Sequence, residues 1–379
     1  MEKSSMKANF MRRVTRLALL GIGVVGCGWL QATSILTTTT GGDPKTAYQP
    51  GIYTFANGDV VRGFTMFKDG FLIPADNTIF YDAEGPVFGD ISFGTPTSIL
   101  QLGSDLRLGT TGDIPNPGKI DGRGNAILCG GDITLTAALT ITSTLVIDGC
   151  GHTLTINNGG SFALSNANSL TLKNMDIVIG ADGLNSTLAT YSNAADQLIL
   201  ENVNIYLRHD AYVFGQSAGG FRGITTLKGL VRILGAEKIA YAKTTSNANT
   251  SSSNIYISSN ATLYVGPGVT LDVSGLNLAA ASKIAMADST SILWLDGCTL
   301  KSDKSAAGAT SVGINLTKGT FLFDDKVVIA DLDSSGATNT DITLGLVLGD
   351  GVSSSNDVDV RVLGGAYVVL KGSMDYKHS

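Results

Sequence analysis

The chain has 379 residues, of which 15% are charged and 43% hydrophobic, with 47 glycines and only 8 prolines. That hydrophobic fraction excludes a disordered chain, the glycines lack the three-residue period of collagen, and no apolar run reaches the roughly 18 residues of a membrane-spanning helix. The formal charge is −6; beyond residue 16, 21 basic and 31 acidic residues leave −10 with no basic cluster, so the chain carries no electrostatic footprint for nucleic acid.

Residues 1–32 read as a signal peptide. Lys3, Lys7, Arg12, Arg13 and Arg16 precede the apolar run 17–25 (LALLGIGVV), too short to cross a bilayer and well suited to an export signal. Two processing sites stay open. Ala32 offers ordinary cleavage before Thr33, whereas Val24, Val25, Gly26 and Cys27 resemble a bacterial lipobox. Lipidation of Cys27 would be the chain's contact with a membrane. Either way the expected location is secreted, periplasmic or cell-surface. Residues 33–42, with five threonines and two glycines, read as a flexible tether. Residues 43–84 are richer in aromatics and less regular, and are expected to form an N-terminal cap.

From 85 to 371 one pattern repeats. Pairs of apolar residues at i and i+2 alternate with Thr, Ser and Asn, and Gly, Asn or Asp turns follow, as at Leu145 and Ile147, Leu154 and Ile156, Leu170 and Leu172. Period 2 is the strand signal. The segments also recur at longer range. The stretch 170–179 (LTLKNMDIVI) aligns without gaps on 198–207 (LILENVNIYL), and 104–108 (SDLRL) aligns on 131–135 (GDITL). Later matches fall at 263–265, 292–295, 321–323 and 360–362. A period of 20 to 30 residues with no helix predicts a β-solenoid. Stacking about 4.8 Å apart turns equivalent side chains into ladders, where like charges repel, which accounts for the low charge content. The fold class expected is all-β, a single-stranded right-handed parallel β-helix of roughly eleven coils, followed by a tail at 372–379. Leu172 should be buried, Lys173 and Glu201 should form an exposed pair, and Asn174 and Asn202 should form a two-rung ladder at a bend. Polar stretches at 244–253, 305–310 and 353–356 read as exposed excursions.

The run 145–156 (LVIDGCGHTLTI), followed by 170–177 (LTLKNMDI), resembles the right-handed parallel β-helix of the pectin-lyase-like superfamily and the repeats of bacterial surface β-helix proteins. The resemblance implies the fold over 85–371 and leaves activity open, since that superfamily holds lyases, hydrolases, adhesins and phage spikes.

Chemistry-bearing residues are sparse. Asp324 and Asp325 are the best adjacent carboxylates, but neighbouring strand residues point to opposite faces. Galacturonan hydrolases of the superfamily carry an Asp-Asp pair, a Gly-His-Gly and an Arg-x-Lys; here His152 lies upstream of the Asp pair and no Arg-x-Lys follows. His209 beside Asp210 offers a base with an acid to orient it. Asp90, Asp105 and Asp132 each precede an inward pair and would, stacked, offer a Ca²⁺ column; turn-forming Asp is the alternative. Three cysteines follow Cys27, namely Cys129, Cys150 and Cys298, and each reads as a small buried hydrophobe. The leading expectation is an exported, non-enzymatic structural or adhesion module without a cofactor, whose partner is an extracellular polysaccharide or a host or cell-surface component. The alternatives are a polysaccharide lyase or glycoside hydrolase, and a non-catalytic carbohydrate-binding protein. The last would draw on aromatics among Tyr206, Tyr212, Phe214, Tyr256 and Tyr264.

Overall fold

The computed structural model describes residues 118–193, 195–212, 223–240, 255–273, 282–302, 314–331, 346–352, 358–371 and 374–377, and before them 35–37, 52–54, 60–62, 71–73, 78–81, 90–93, 99–102 and 106–109. The expected signal peptide with Cys27, the excursions at 244–253, 305–310 and 353–356, Asp105 and Phe214 lie outside the described residues, as do the side chains of Asp90 and Tyr212.

Among the described residues every strand pairing is parallel and no helix occurs. The chain is all-β, with long parallel strands in stacked sheets, consistent with a β-solenoid. A main sheet is joined by a second running from Ser186–Thr187 to Tyr367–Lys371 and a third of three strands, Ile314–Leu316, Leu346–Leu348 and Met374–Tyr376. The register matches the sequence alignment residue by residue. Leu170, Leu172 and Ile177 of strand Ser169–Ile179 face Leu198, Leu200 and Ile205 of strand Gln197–Leu207. Leu106 faces Ile133, Leu263 faces Leu293, and Phe321 faces Val360. Alternation makes the core: Ile147, Leu172 and Leu200 lie on one inward column, at most 1% exposed. Removing such columns from water is the main source of stability in a fold with so little charge.

The spacing between rungs varies more than the sequence period suggests. It is 19 residues from Ile52 to Phe71, 28 from Leu170 to Leu198, 30 from Leu263 to Leu293 and 39 from Phe321 to Val360. Strands must stack, but the connections between them are free to take extra residues. The segment expected as a cap carries rungs of this kind: Ile52–Thr54, Val60–Arg62, Phe71–Ile73 and Thr78–Tyr81 pair in parallel along the main sheet. Ile35–Thr37, inside the expected tether, pairs with Val60–Arg62, and Met374–Tyr376, inside the expected tail, pairs with Leu346–Leu348.

Sharp bends interrupt the longest strands where a residue turns left-handed. Asn174 (φ 53°), Asn202 (φ 54°) and Gly229 (φ 60°) occupy this bend in three successive rungs. Asn tolerates that region better than other side chains. Gly229 is required there, since a Cβ would lie 2.0 Å from the Asn202 side-chain oxygen. The two asparagines do share the bend, but their amides do not bond to each other as expected. Asn174 donates to Asp148 in the preceding rung (3.1 Å), and Asn202 accepts from the Leu230 N–H in the next (3.2 Å).

Charges stack with alternating sign. Asp148, Lys173, Glu201 and Lys228 follow one another in register. With a carboxylate on either side of it in the column, Lys173 makes its ion pair with Asp148 (3.2 Å) and not with Glu201 as expected.

The cysteine expectation holds for two of three. Cys129 and Cys298 are buried, but Cys150 is exposed, turned left-handed at φ 52° in the corner after Asp148. Burial pushes the Cys129 thiol up and the Cys298 thiol up to about 12. Partial desolvation, then the Asp148 carboxylate, raise Cys150 as well. Of these three, only Cys150 is expected to react with a water-soluble thiol reagent in the folded protein, with the rate climbing as the pH is raised, because a raised pKa leaves less thiolate near neutrality. Cys150→Ser should abolish that labelling, and denaturant should expose the other two. Labelling of Cys129 or Cys298 at the Cys150 rate would contradict the packing.

Candidate functional site

Three short strands build the most chemically distinctive outer surface. Thr262–Val265, Ile292–Asp296 and Thr320–Asp324 stack in register. Leu263, Val265, Leu293, Leu295, Phe321 and Phe323 point inward, none more than 3% exposed. The alternate positions must then point outward. One outward column runs Arg232, Tyr264, Trp294, Leu322 and Arg361. Beside it Asp296 lies in register with Asp324.

Tyr264 and Trp294 meet edge to face, with centroids 5.1 Å apart and planes at 89°. The Tyr264 hydroxyl donates to Asp296 Oδ2 at 2.5 Å. Gly266 makes room for this reach, since a Cβ there would lie 3.1 Å from the Tyr264 ring and 3.0 Å from Leu234. Burial of the phenol, then the Asp296 carboxylate beside it, push the Tyr264 pKa upward, so the hydroxyl stays a proton donor to Asp296 throughout the ordinary pH range. The Trp294 indole nitrogen is shielded from water and has no hydrogen-bond partner. Asp324 accepts from the backbone N–H of Asp325 at 3.0 Å.

The arrangement offers two aromatic side chains and an adjoining pair of carboxylates on the outer face of one sheet. Aromatic surface takes the apolar C–H face of a sugar ring, and carboxylates accept its hydroxyls.

The other expected site residues are dispersed. Asp325 is exposed at a bend with φ 50°, so it does not join Asp324 on the strand face. His209 and Asp210 do not form a dyad. The Nδ1–H of His209 donates to Asn185 Oδ1 (2.8 Å), which can only accept, while Asp210 takes the Lys238 backbone N–H (3.0 Å) and its ammonium (3.5 Å). Asp132 is exposed, accepts from the Thr153 N–H (2.9 Å) and lies 3.8 Å from His152 Nδ1, as a turn residue would. Among the described residues no three His, Cys, Asp or Glu side chains gather as a metal site. Of the aromatics considered from sequence, Tyr264 joins the surface above. Tyr206 lies on the neighbouring outward column opposite Leu234, and Tyr256 lies on strand Ile255–Ile257, facing Thr226 and Ala285.

Sequence reasoning passed over Trp294 and Asp296. The recurring apolar segments 263–265, 292–295 and 321–323 were the available signal, but their unequal lengths fix no register, so they do not by themselves set Tyr264 opposite Trp294 or Asp296 beside Asp324.

No family model, curated protein or solved structure matches the chain.

Proposed function

We propose that the chain is an exported bacterial module of the cell surface or envelope, a right-handed parallel β-helix of roughly eleven coils that adheres to extracellular polysaccharide without cleaving it. The single observation carrying adhesion is the Tyr264–Trp294 pair beside the in-register carboxylates Asp296 and Asp324. Right-handedness is supported by the strong bias of parallel crossovers toward that hand, and export by the basic and apolar segments of residues 1–32. Those carboxylates, with −10 net charge beyond residue 16, favour a neutral polymer over a polyanion.

A hydrolase is the second reading, favoured by the Asp296–Asp324 juxtaposition alone. Two carboxylates about 5 Å apart are the arrangement of retaining glycosidases. Against it, Asp296 is engaged by the Tyr264 hydroxyl, and Asp324 holds its own turn.

One experiment separates the readings. Protein recovered from a bacterial host should begin at Thr33 or at a lipidated Cys27. It should co-sediment with insoluble neutral polysaccharide and release no reducing ends. Trp294→Ala should weaken retention at least about tenfold, the loss of one stacking contact worth about 1.4 kcal/mol. An intact Met1 would overturn export, retention unaffected by Trp294→Ala would overturn the site, and sugar release lost on Asp296→Asn would establish the hydrolase.

A further inference from the structure

Exposed large apolar side chains concentrate at the C-terminal end of the stack. Val360 and Val362 continue the inward columns of Phe321 and Phe323. Their predecessors are 0% and 3% exposed, whereas Val360 is 37% and Val362 56% exposed. Leu370 follows Ile329 in the second sheet and rises from 6% to 40%. Leu363, Tyr367 and Tyr376 are exposed beside them. Strands Asp359–Val362, Tyr367–Lys371 and Met374–Tyr376 each have one paired neighbour among the described residues. The hydrophobic interior and the strand edges are therefore open on one face.

An open strand edge is a template for another strand, and an apolar cross-section needs an apolar cover. We propose that this end is the interface of a two-fold dimer, in which strand Asp359–Val362 of one copy pairs antiparallel with the same strand of a second copy about Val360. Charge complementarity selects the second copy as occupant. Asp359 and Arg361 are the outward residues flanking Val360 and are ion-paired within the chain, Arg361 Nε to Asp359 Oδ2 at 2.7 Å. In an antiparallel pair centred on Val360, Asp359 of each copy lies opposite Arg361 of the other. Val360 then meets Val360, and Val362 meets Val358, inward beside inward. Isologous contact closes on itself and removes the edge from both copies. The adhesive surface of Tyr264 and Trp294 lies on earlier rungs, so the dimer would present two such surfaces.

The test is sedimentation equilibrium on the mature chain. Wild type should sediment at twice the chain mass. Arg361→Asp places four carboxylates around the centre and should weaken association at least about tenfold. The double variant Asp359→Arg/Arg361→Asp exchanges the charges, keeps them opposed across the two-fold axis, and should restore the dimer. Both positions of change, 359 and 361, are exposed, and equal melting temperatures at low protein concentration would show the fold intact. A wild type that stays monomeric to its solubility limit overturns the proposal. So does a polymer that grows with concentration, which would mean head-to-tail contact, or a double variant no tighter than Arg361→Asp.

Discussion

Leu172→Asp is expected to destabilise the protein by about 3–5 kcal/mol, the range for burying a charge with no partner. Leu172 is fully buried between Ile147 and Leu200 on its inward column, with Leu170 on the same strand face. Among the described residues no cation lies on that column to meet the new carboxylate. Denaturant unfolding followed by circular dichroism measures the loss, with Leu172→Ala as the cavity reference at about 2–5 kcal/mol. Because each rung contacts only its neighbours, hydrogen exchange should show lost protection first in Ala138–Asp148, Ser169–Ile179 and Gln197–Leu207. A variant melting within a degree of wild type would mean that the inward register is wrong.

Asp196→Ala should cost about 3 kcal/mol through a different route. Asp196 is fully buried, and its carboxylate accepts three backbone N–H groups: Ser192 (2.9 Å) and Asn193 (2.8 Å) through Oδ2, and Asn168 (3.2 Å) in the preceding rung through Oδ1. It thus closes its own turn and ties two rungs together. Alanine would leave three donors without their acceptor, each at about 1–3 kcal/mol before water and local relaxation recover part of it. Asp196→Asn keeps one oxygen and should fall between the two. Chemical denaturation of both variants checks the order. Equal stability of Asp196→Ala and wild type would show that these bonds do not hold the corner.

The amino-acid sequence by itself determined which face of each strand is inward and, over 145–207, which residues stack. Alternation is a local consequence of the pleat, so Leu170, Leu172 and Ile177 identify the core without knowledge of any other rung. Where successive rungs are separated by a nearly constant number of residues, as from 170–179 to 198–207, the stacking register is legible too. Asp196 was not legible: a turn aspartate exposed to water and one buried beneath a corner have the same sequence neighbours, and only the fold decides how many N–H groups converge on it. Cys150 escaped for a similar reason, since a left-handed corner turned it out of the apolar pattern that buries Cys129. The tertiary structure alone decided that Tyr264, Trp294, Asp296 and Asp324 share one surface, and that Val360 and Val362 end their columns uncovered. Hydrogen bonding between stacked backbones sets those columns, and it is indifferent to whether an intervening corner holds one residue, as between Asp324 and Lys326, or fourteen, as between Asp331 and Leu346.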